Sequence, residues 1–259
     1  TLQADSNVIL TAAGNTAIVN DTILNLEGAV TGTLGATATT GGITDSGTLS
    51  VTGNATFNDV ALAGITLGTL QADSNVILTA AGNTAITNDT ILNLEGAVTG
   101  TLGATATAGG ITDSAELNVS SNATFTSATG TNIILDTAAN TFGGTVTFVG
   151  AGGNLNNVTI TDDTALDLLG LTLDGALVAT GAGITQSGGV LTITGTTTLA
   201  AGANDITLNG ANDFSTVLIT NGNNVALTDA NGIILGASTV GGTLGATATA
   251  GGITDSAEL

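Results

Sequence analysis

The feature that most constrains this sequence is a long internal repeat. Residues 1–46 recur at 69–114 with two substitutions, at an offset of 68 residues. The segment 100–117 returns unchanged at 242–259. Near-identical units at a fixed period of this length indicate a solenoid, in which each unit packs only on its neighbours.

More diverged copies complete the pattern. An Ile-Thr-(Asp or Gln)-Ser tetrapeptide marks each copy, with spacings of 68, 73 and 69 residues, and it begins at Ile43, Ile111, Ile184 and Ile253. The repeating unit is therefore about 70 residues long. We expect a single continuous solenoid over 1–259, divided into the approximate units 1–68, 69–141, 142–210 and 211–259.

Within each unit the hydrophobic period is two. Triplets such as Val158-Thr-Ile160 and Leu171-Thr-Leu173 place apolar side chains on one face and Thr on the other,. Gly and Asn close these short strands, since both tolerate tight corners. No helical stripe is present. The pattern predicts an all-β parallel β-helix of about thirteen coils of about 20 residues, with like residues stacked about 4.8 Å apart.

Composition limits the function classes. The chain has no Lys, Arg or His and 20 acidic residues, which gives a net charge of −20. Such a polyanion repels nucleic acid and anionic lipid, so we expect neither partner. No apolar run is long enough to span a bilayer, which predicts no membrane insertion in this segment. Trypsin-like proteases have no cleavage site here.

Catalysis is disfavoured by the residue inventory, because His, Cys, Lys and Tyr are all missing,. We therefore predict no enzyme, no catalytic residue and no cofactor. A carbohydrate-active β-helix stays open as an alternative, since carboxylate pairs alone hydrolyse glycosides. Asp162-Asp163 is the only adjacent acid pair, and we interpret it as a solvated corner.

No metal site is predicted either. The calcium-binding Gly-Gly-x-Gly-x-Asp pattern is absent, because the segment 41–46 lacks the third Gly,. Weak divalent cation binding stays open if equivalent carboxylates stack in space. The candidates for such a stack are Asp45, Asp113 and Asp255.

Three further residue groups have structural interpretations. We expect the five Phe residues to form internal stacks or plugs rather than ligand contacts: Phe57, Phe125, Phe142, Phe148 and Phe214. Outward Thr rows leave ice binding as a minor alternative, although the rows are interrupted by Ser, Asn and Ala. Six Asn-x-Ser/Thr sequons imply surface exposure only if the source glycosylates them. They are Asn20, Asn54, Asn88, Asn118, Asn122 and Asn157.

With these residues in view, the chain resembles the β-strand repeats of filamentous-haemagglutinin-like bacterial surface proteins. The resemblance is carried by GITQSGGVLTITGTTTLAAGANDITLNGANDF at 183–214 and NNVALTDANGIILGAS at 223–238. It implies a right-handed parallel β-helix that is exported and serves in adhesins, biofilms or toxin-carrying stalks. No binding residue of that family can be transferred to this chain.

These observations predict an extracellular, cell-surface fibre whose shaft is structural or adhesive. Its expected partners are other copies of itself, by end-to-end or lateral contact, or other cell surfaces. The main alternative is a filament or sheath subunit that joins end to end by β-strand addition. Because the sequence begins and ends within repeats, we expect a middle section of a longer rod.

Overall fold

A computed structural model describes residues 3–4 and 6–257, with the backbone alone at 138–139. All regular elements in this part are β-strands. Among these residues no helix suited to crossing a membrane is found. The strands are β1 (Val8–Ala12), β2 (Thr16–Asn20), β3 (Leu24–Val30), β4 (Leu34–Ala38), β5 (Ile43–Val51), β6 (Ala55–Asp59), β7 (Ile65–Ala72), β8 (Asn75–Ala80), β9 (Thr84–Asn88), β10 (Leu92–Val98), β11 (Leu102–Ala106), β12 (Ile111–Val119), β13 (Ala123–Ala128), β14 (Ile133–Phe142), β15 (Thr145–Ala151), β16 (Val158–Asp162), β17 (Leu166–Leu168), β18 (Leu171–Leu173), β19 (Leu177–Thr180), β20 (Ile184–Gln186), β21 (Leu191–Ala200), β22 (Ile206–Gly222), β23 (Val225–Asp229), β24 (Ile233–Val240), β25 (Leu244–Ala248) and β26 (Ile253–Asp255).

Each coil contributes a strand to each of two parallel ladders. A strand pairs with the strand one coil later, as β1 pairs with β3 and β2 with β4. The first ladder contains β1, β3, β5, β7, β9, β11, β13, β15, β17, β20, β22, β23 and β25. The second contains β2, β4, β6, β8, β10, β12, β14, β16, β19, β21, β22, β24 and β26, and β18 adds a short extra pairing with β21.

The long strand β22 passes through both ladders and joins them into one sheet. At a strand spacing of about 4.8 Å, the thirteen rungs extend over about 58 Å. The predicted all-β parallel solenoid of about thirteen coils is therefore confirmed.

The interior is a single continuous apolar core between the two ladders. Inward positions alternate with outward ones along each strand, as in β4 and β6, where the first, third and fifth residues are buried. All five Phe rings are buried, as expected, and three of them contact one another. The ring of Phe125 stacks on Phe148 at 5.8 Å between centroids and meets Phe142 edge to face at 5.9 Å.

Successive units are turned by half a coil relative to one another. The first unit contains seven strands, or 3.5 coils, and the later units also advance by 3.5 coils because β18 is an extra strand and β22 serves both ladders. Equivalent strands therefore alternate between the ladders. Ile43 and Ile184 lie in the first ladder, whereas Ile111 and Ile253 lie in the second. Equivalent residues return to the same ladder only after two units, which is seven rungs or about 34 Å.

The expectation that like residues of successive units stack directly is consequently wrong. Vertical neighbours are different positions of the unit, such as Leu26 beside Asp45 and Leu34 beside Ala55. The physical reason is that each unit spans several coils, so its equivalent residues lie several rungs apart, and the odd strand count also sends them to the opposite side of the solenoid.

Glycine makes the bend in the middle of β3 and of its copy β10. Gly28 and Gly96 adopt φ values of 107° and 111°, a region that L side chains rarely enter. A Cβ atom at either position would overlap the carbonyl oxygen of the preceding coil, on Leu10 or Leu78 respectively. Only Gly therefore allows the coils to approach closely here.

Candidate functional surfaces and buried polar sites

A set of buried Asn and Asp side chains lies inside the solenoid, five at the last position of a strand and two at register shifts within the long strands β14 and β22. An inward-facing residue at a strand's last position meets the next corner, where backbone groups lack ladder partners. Buried polar groups need hydrogen-bond partners, and the corners supply them. The members of this set, the corner Asx residues, are Asn20, Asp59, Asn88, Asn140, Asp162, Asn212 and Asp229.

Asn88 illustrates their role. Its Nδ2 donates to the carbonyl oxygens of Ala72 and Ile91 at 3.1 and 2.9 Å, and to Thr90 Oγ1 at 3.3 Å. Its Oδ1 accepts a hydrogen bond from the Ala72 N–H at 2.8 Å. Ala72 belongs to the preceding coil, so the side chain joins two coils and the corner after β9. Asn20 makes the corresponding contacts one unit earlier.

Sequence reasoning missed these residues, although the sequence contains a signal for them. Each of five follows an apolar residue by two positions at the end of a strand, where the alternation requires another inward side chain. The tripeptides are Ile18-Val-Asn20, Phe57-Asn-Asp59, Ile86-Thr-Asn88, Ile160-Thr-Asp162 and Leu227-Thr-Asp229.

The structure divides the six sequons into two kinds. Asn20 and Asn88 are completely buried corner Asx residues, so neither is a surface sequon. Their Nδ2 groups are occupied by backbone carbonyl oxygens rather than exposed to solvent. Asn122 is exposed, and three sequon residues are half-buried: Asn54, Asn118 and Asn157.

The adjacent acids Asp162 and Asp163 point to opposite sides of β16 and the corner that follows. Asp163 is exposed and its Oδ1 accepts a hydrogen bond from Thr141 Oγ1 at 2.9 Å. Asp162 is 2% exposed, so the interpretation of the pair as a solvated corner is wrong for this residue. Inward and outward neighbours cannot flank one glycosidic bond, and the pair offers no shared sugar site.

Asp162 is a corner Asx residue whose hydrogen bonds are incomplete. Its Oδ1 accepts from Thr164 N–H, Thr164 Oγ1 and Phe142 N–H at 3.0, 2.8 and 3.3 Å. Its Oδ2 is buried without a partner. Burial raises the pKa of this carboxyl above its usual value, against the opposing effect of the Thr164 hydrogen bonds,.

The three carboxylates proposed as a stack do not come together. Asp45 lies in the first ladder, whereas Asp113 and Asp255 lie in the second, seven rungs or about 34 Å apart,. The stacking hypothesis is therefore wrong for this trio. Within the described ranges, no three acidic side chains are arranged to hold a metal ion.

Outward Thr rows are short. Thr87, Thr105 and Thr126 occupy consecutive rungs of the first ladder, and Val149 ends the row. On the second ladder Thr112 and Thr159 are separated by Ile134. Neither row forms the extended flat hydroxyl array that an ice-binding surface would use.

Comparison with known protein families assigns the chain to one family. The model of that family, described as repeats of unknown function (DUF5649), matches residues 13–84, 81–149, 155–221 and 222–259. The chain belongs to this family. The first three DUF5649 matches are 72, 69 and 67 residues long, in agreement with the predicted unit of about 70 residues. Searches of curated proteins and of solved structures found no match.

One corner of these DUF5649 repeats departs from the others. The turn between β6 and β7 is Val60-Ala-Leu62-Ala-Gly64, and Leu62 has a φ of 62°. The equivalent position in the next copy is Gly130, with a φ of 73°. The corner of the third copy is one residue shorter and has Gly202 in the left-handed region, with a φ of 59°. A left-handed Leu costs about 1 to 2 kcal/mol relative to a right-handed one, so this copy retains a conformational penalty that its sister copies avoid.

Proposed function

We propose that this chain is part of the structural, adhesive shaft of an extracellular bacterial surface fibre and carries out no catalysis. The observation that supports this most is the uninterrupted pair of thirteen-strand ladders around one continuous core. A structure of this kind adds length with every coil and depends only on contacts between neighbouring coils.

The hydrogen bonds of both ladders run between coils, along the axis of the solenoid. The corner Asx residues reinforce the same direction, as Asn88 does by binding both backbone groups of Ala72 in the preceding coil. Tension along the axis would therefore be shared by two ladders and by buried side-chain bonds. These features suit a load-bearing spacer.

The surface also suits exposure outside a cell. Twenty acids without any Lys or Arg keep rods soluble through mutual repulsion,, and they leave trypsin-like proteases no site. The resemblance to filamentous-haemagglutinin-like repeats supports the same location and role.

The rod mechanism is tested by an in-frame deletion. Removing 47–114 joins Ser46 to Ala115, so that the junction repeats the native Ser114-Ala115 sequence. We expect a folded rod that is shorter by 3.5 coils, or about 17 Å, in solution X-ray scattering. Removing 47–80 instead deletes about half a unit and places mismatched strands together, which should reduce the β signal in circular dichroism. Loss of structure with the whole-unit deletion would contradict the rod mechanism.

The location is tested separately with antibodies against this segment. We expect labelling of intact bacteria that make the full-length protein, without permeabilisation. Labelling that appears only after permeabilisation would place the chain inside the cell and exclude the surface fibre.

A further inference from the structure

Exposed aliphatic side chains lie in two corners that lead from the second ladder to the first, on either side of the corner that carries Thr39 and Thr40. They belong to Ile23, Val60 and Leu62, whose side chains are 58%, 56% and 75% exposed. Corners of successive coils stack, because Leu24 N–H bonds to Gly42 O and Ile43 N–H bonds to Gly64 O. We refer to these three residues as the corner strip.

Backbone packing keeps the corner strip open. Gly41 lies against Ile23, and a Cβ on Gly41 would come within 2.9 Å of Ile23 Cγ1. Gly82 lies in the same way against the carbonyl oxygen of Leu62. Gly41 and Gly82 have no side chain that could cover Ile23 and Leu62. The backbone of the adjacent coil packs below these two residues, and their side chains remain exposed.

Packing within the fold does not explain Leu62. The same corner has Gly130 in the next copy, with a φ of 73° against 62° for Leu62. The shorter corner of the third copy also uses a Gly in the left-handed region, Gly202. Leu62 adds no buried contact that would offset its unfavourable conformation, because three quarters of its side chain is exposed. A strained residue at an exposed apolar site is a feature of binding surfaces.

The charge of the chain indicates what kind of partner would bind at the corner strip. The chain carries 20 acids and no cation, so two copies repel each other and cannot form ion pairs. Three aliphatic side chains also expose much less than the roughly 800 Å² per partner of a stable dimer. A positively charged protein, by contrast, is attracted to the rod at long range.

We propose that the corner strip is a docking site for a cationic protein, which receives Leu62 in an apolar pocket bordered by Lys or Arg. The acidic rod raises the rate of encounter, and the aliphatic side chains fix the position of the contact. The corresponding corner of the next copy retains an exposed Ile91, at 59%. It has Ala128 and Gly130 in place of the other two residues and serves as an internal control.

The probe for this proposal is a synthetic helical peptide with Leu along one face and Lys along the other. Calorimetric titration at about 0.15 M salt limits purely long-range attraction. We expect Leu62→Gly to weaken binding at least tenfold, and the double variant Leu62→Gly/Gly130→Leu to recover part of the affinity beside Ile91. Equal binding by the wild type and Leu62→Gly, or binding by neither, would overturn the proposal.

Two further measurements distinguish docking at the corner strip from a role of Leu62 in folding and from self-association. Leu62→Gly should unfold at the same or a higher temperature than the wild type, and a lower temperature would show that Leu62 serves the fold instead. Sedimentation velocity should show a monomer for both proteins. Self-association of the wild type that Leu62→Gly abolishes would identify a second copy as the occupant and overturn the choice of a cationic protein.

Discussion

Residues 1–46 and 69–114 are nearly the same sequence in two different surroundings. Their two differences, Val19 against Thr87 and Thr40 against Ala108, concern residues at or near the surface. From residue 8 and its counterpart 76 onward, the copies form corresponding strands and corners, yet these lie on opposite ladders of the solenoid. Each copy therefore determines its own local structure, while the number of strands between the copies determines which side it occupies.

The environment of equivalent side chains differs between the copies. Asp45 is half-buried and accepts hydrogen bonds from Gly68 N–H, Thr69 N–H and Thr69 Oγ1. Asp113 is 5% exposed and accepts from two backbone N–H groups and from Asn140 Nδ2 at 2.8 Å. The position equivalent to Asn140 in the first copy is Ala72. The neighbouring coil, and not the copy itself, decides the burial of the carboxylate.

The largest expected loss of folding stability comes from substitutions of a glycine that both copies contain. Gly28→Ala and Gly96→Ala should each destabilise the fold by more than about 3 kcal/mol, because a Cβ would overlap the preceding coil at a backbone angle unsuited to Ala. Urea denaturation followed by circular dichroism measures the loss. Gly103→Ala is the matched control, since its Cβ has no neighbour closer than 3.9 Å. A similar small effect of all three substitutions would contradict the close approach of the coils.

A smaller effect should distinguish the copies. Asp113→Ala removes the partner of the buried Asn140 amide, and we expect a loss of about 3 kcal/mol. Asp45→Ala leaves groups that water can solvate, and we expect about 1 kcal/mol. Thermal unfolding of the two variants gives the comparison. Equal losses would show that the coil above Asp113 does not change its environment.

The smallest expected change in folding stability comes from replacing Asp by Asn at a corner Asx position. Asp162→Asn should stabilise the chain by about 1 kcal/mol at pH 7, because the amide replaces a buried carboxylate oxygen that lacks a partner. Asn88 shows that an amide is accommodated at such a corner. A loss of stability at pH 7 would indicate that the unpaired oxygen of Asp162 is compensated.

The pH dependence of that effect has a defined sign. Burial raises the pKa of Asp162 in the folded chain above the unfolded value of 3.8. Its protonated form is therefore favoured by folding, and the stability that it contributes is present below pH 3.8 and lost as the pH rises through the folded pKa,. The advantage of Asp162→Asn should consequently be greatest at neutral pH and shrink below pH 3.8. Melting curves at pH 7 and pH 3 test this direction.

Much of the fold was predictable because it depends on local alternation and on exact repetition. Triplets such as Val158-Thr-Ile160 predict strands, Gly and Asn predict corners, and the 68-residue offset predicts a solenoid,. The buried Phe residues were predictable for the same reason. The corner Asx residues were not recognised, because Asn and Asp are usually exposed and their burial depends on backbone groups of the preceding coil.

The sequence by itself therefore determined the strands, the unit length, the polyanionic surface and the lack of the usual catalytic side chains. Only the tertiary structure decided which residues become neighbours between coils. It separated Asp45 from Asp113 and Asp255, turned Asp162 inward and gave Leu62 the left-handed backbone that Gly130 adopts in the next copy. The physical reason is that coil length sets the vertical register, and the advance of 3.5 coils per unit sends successive copies to opposite sides of one core.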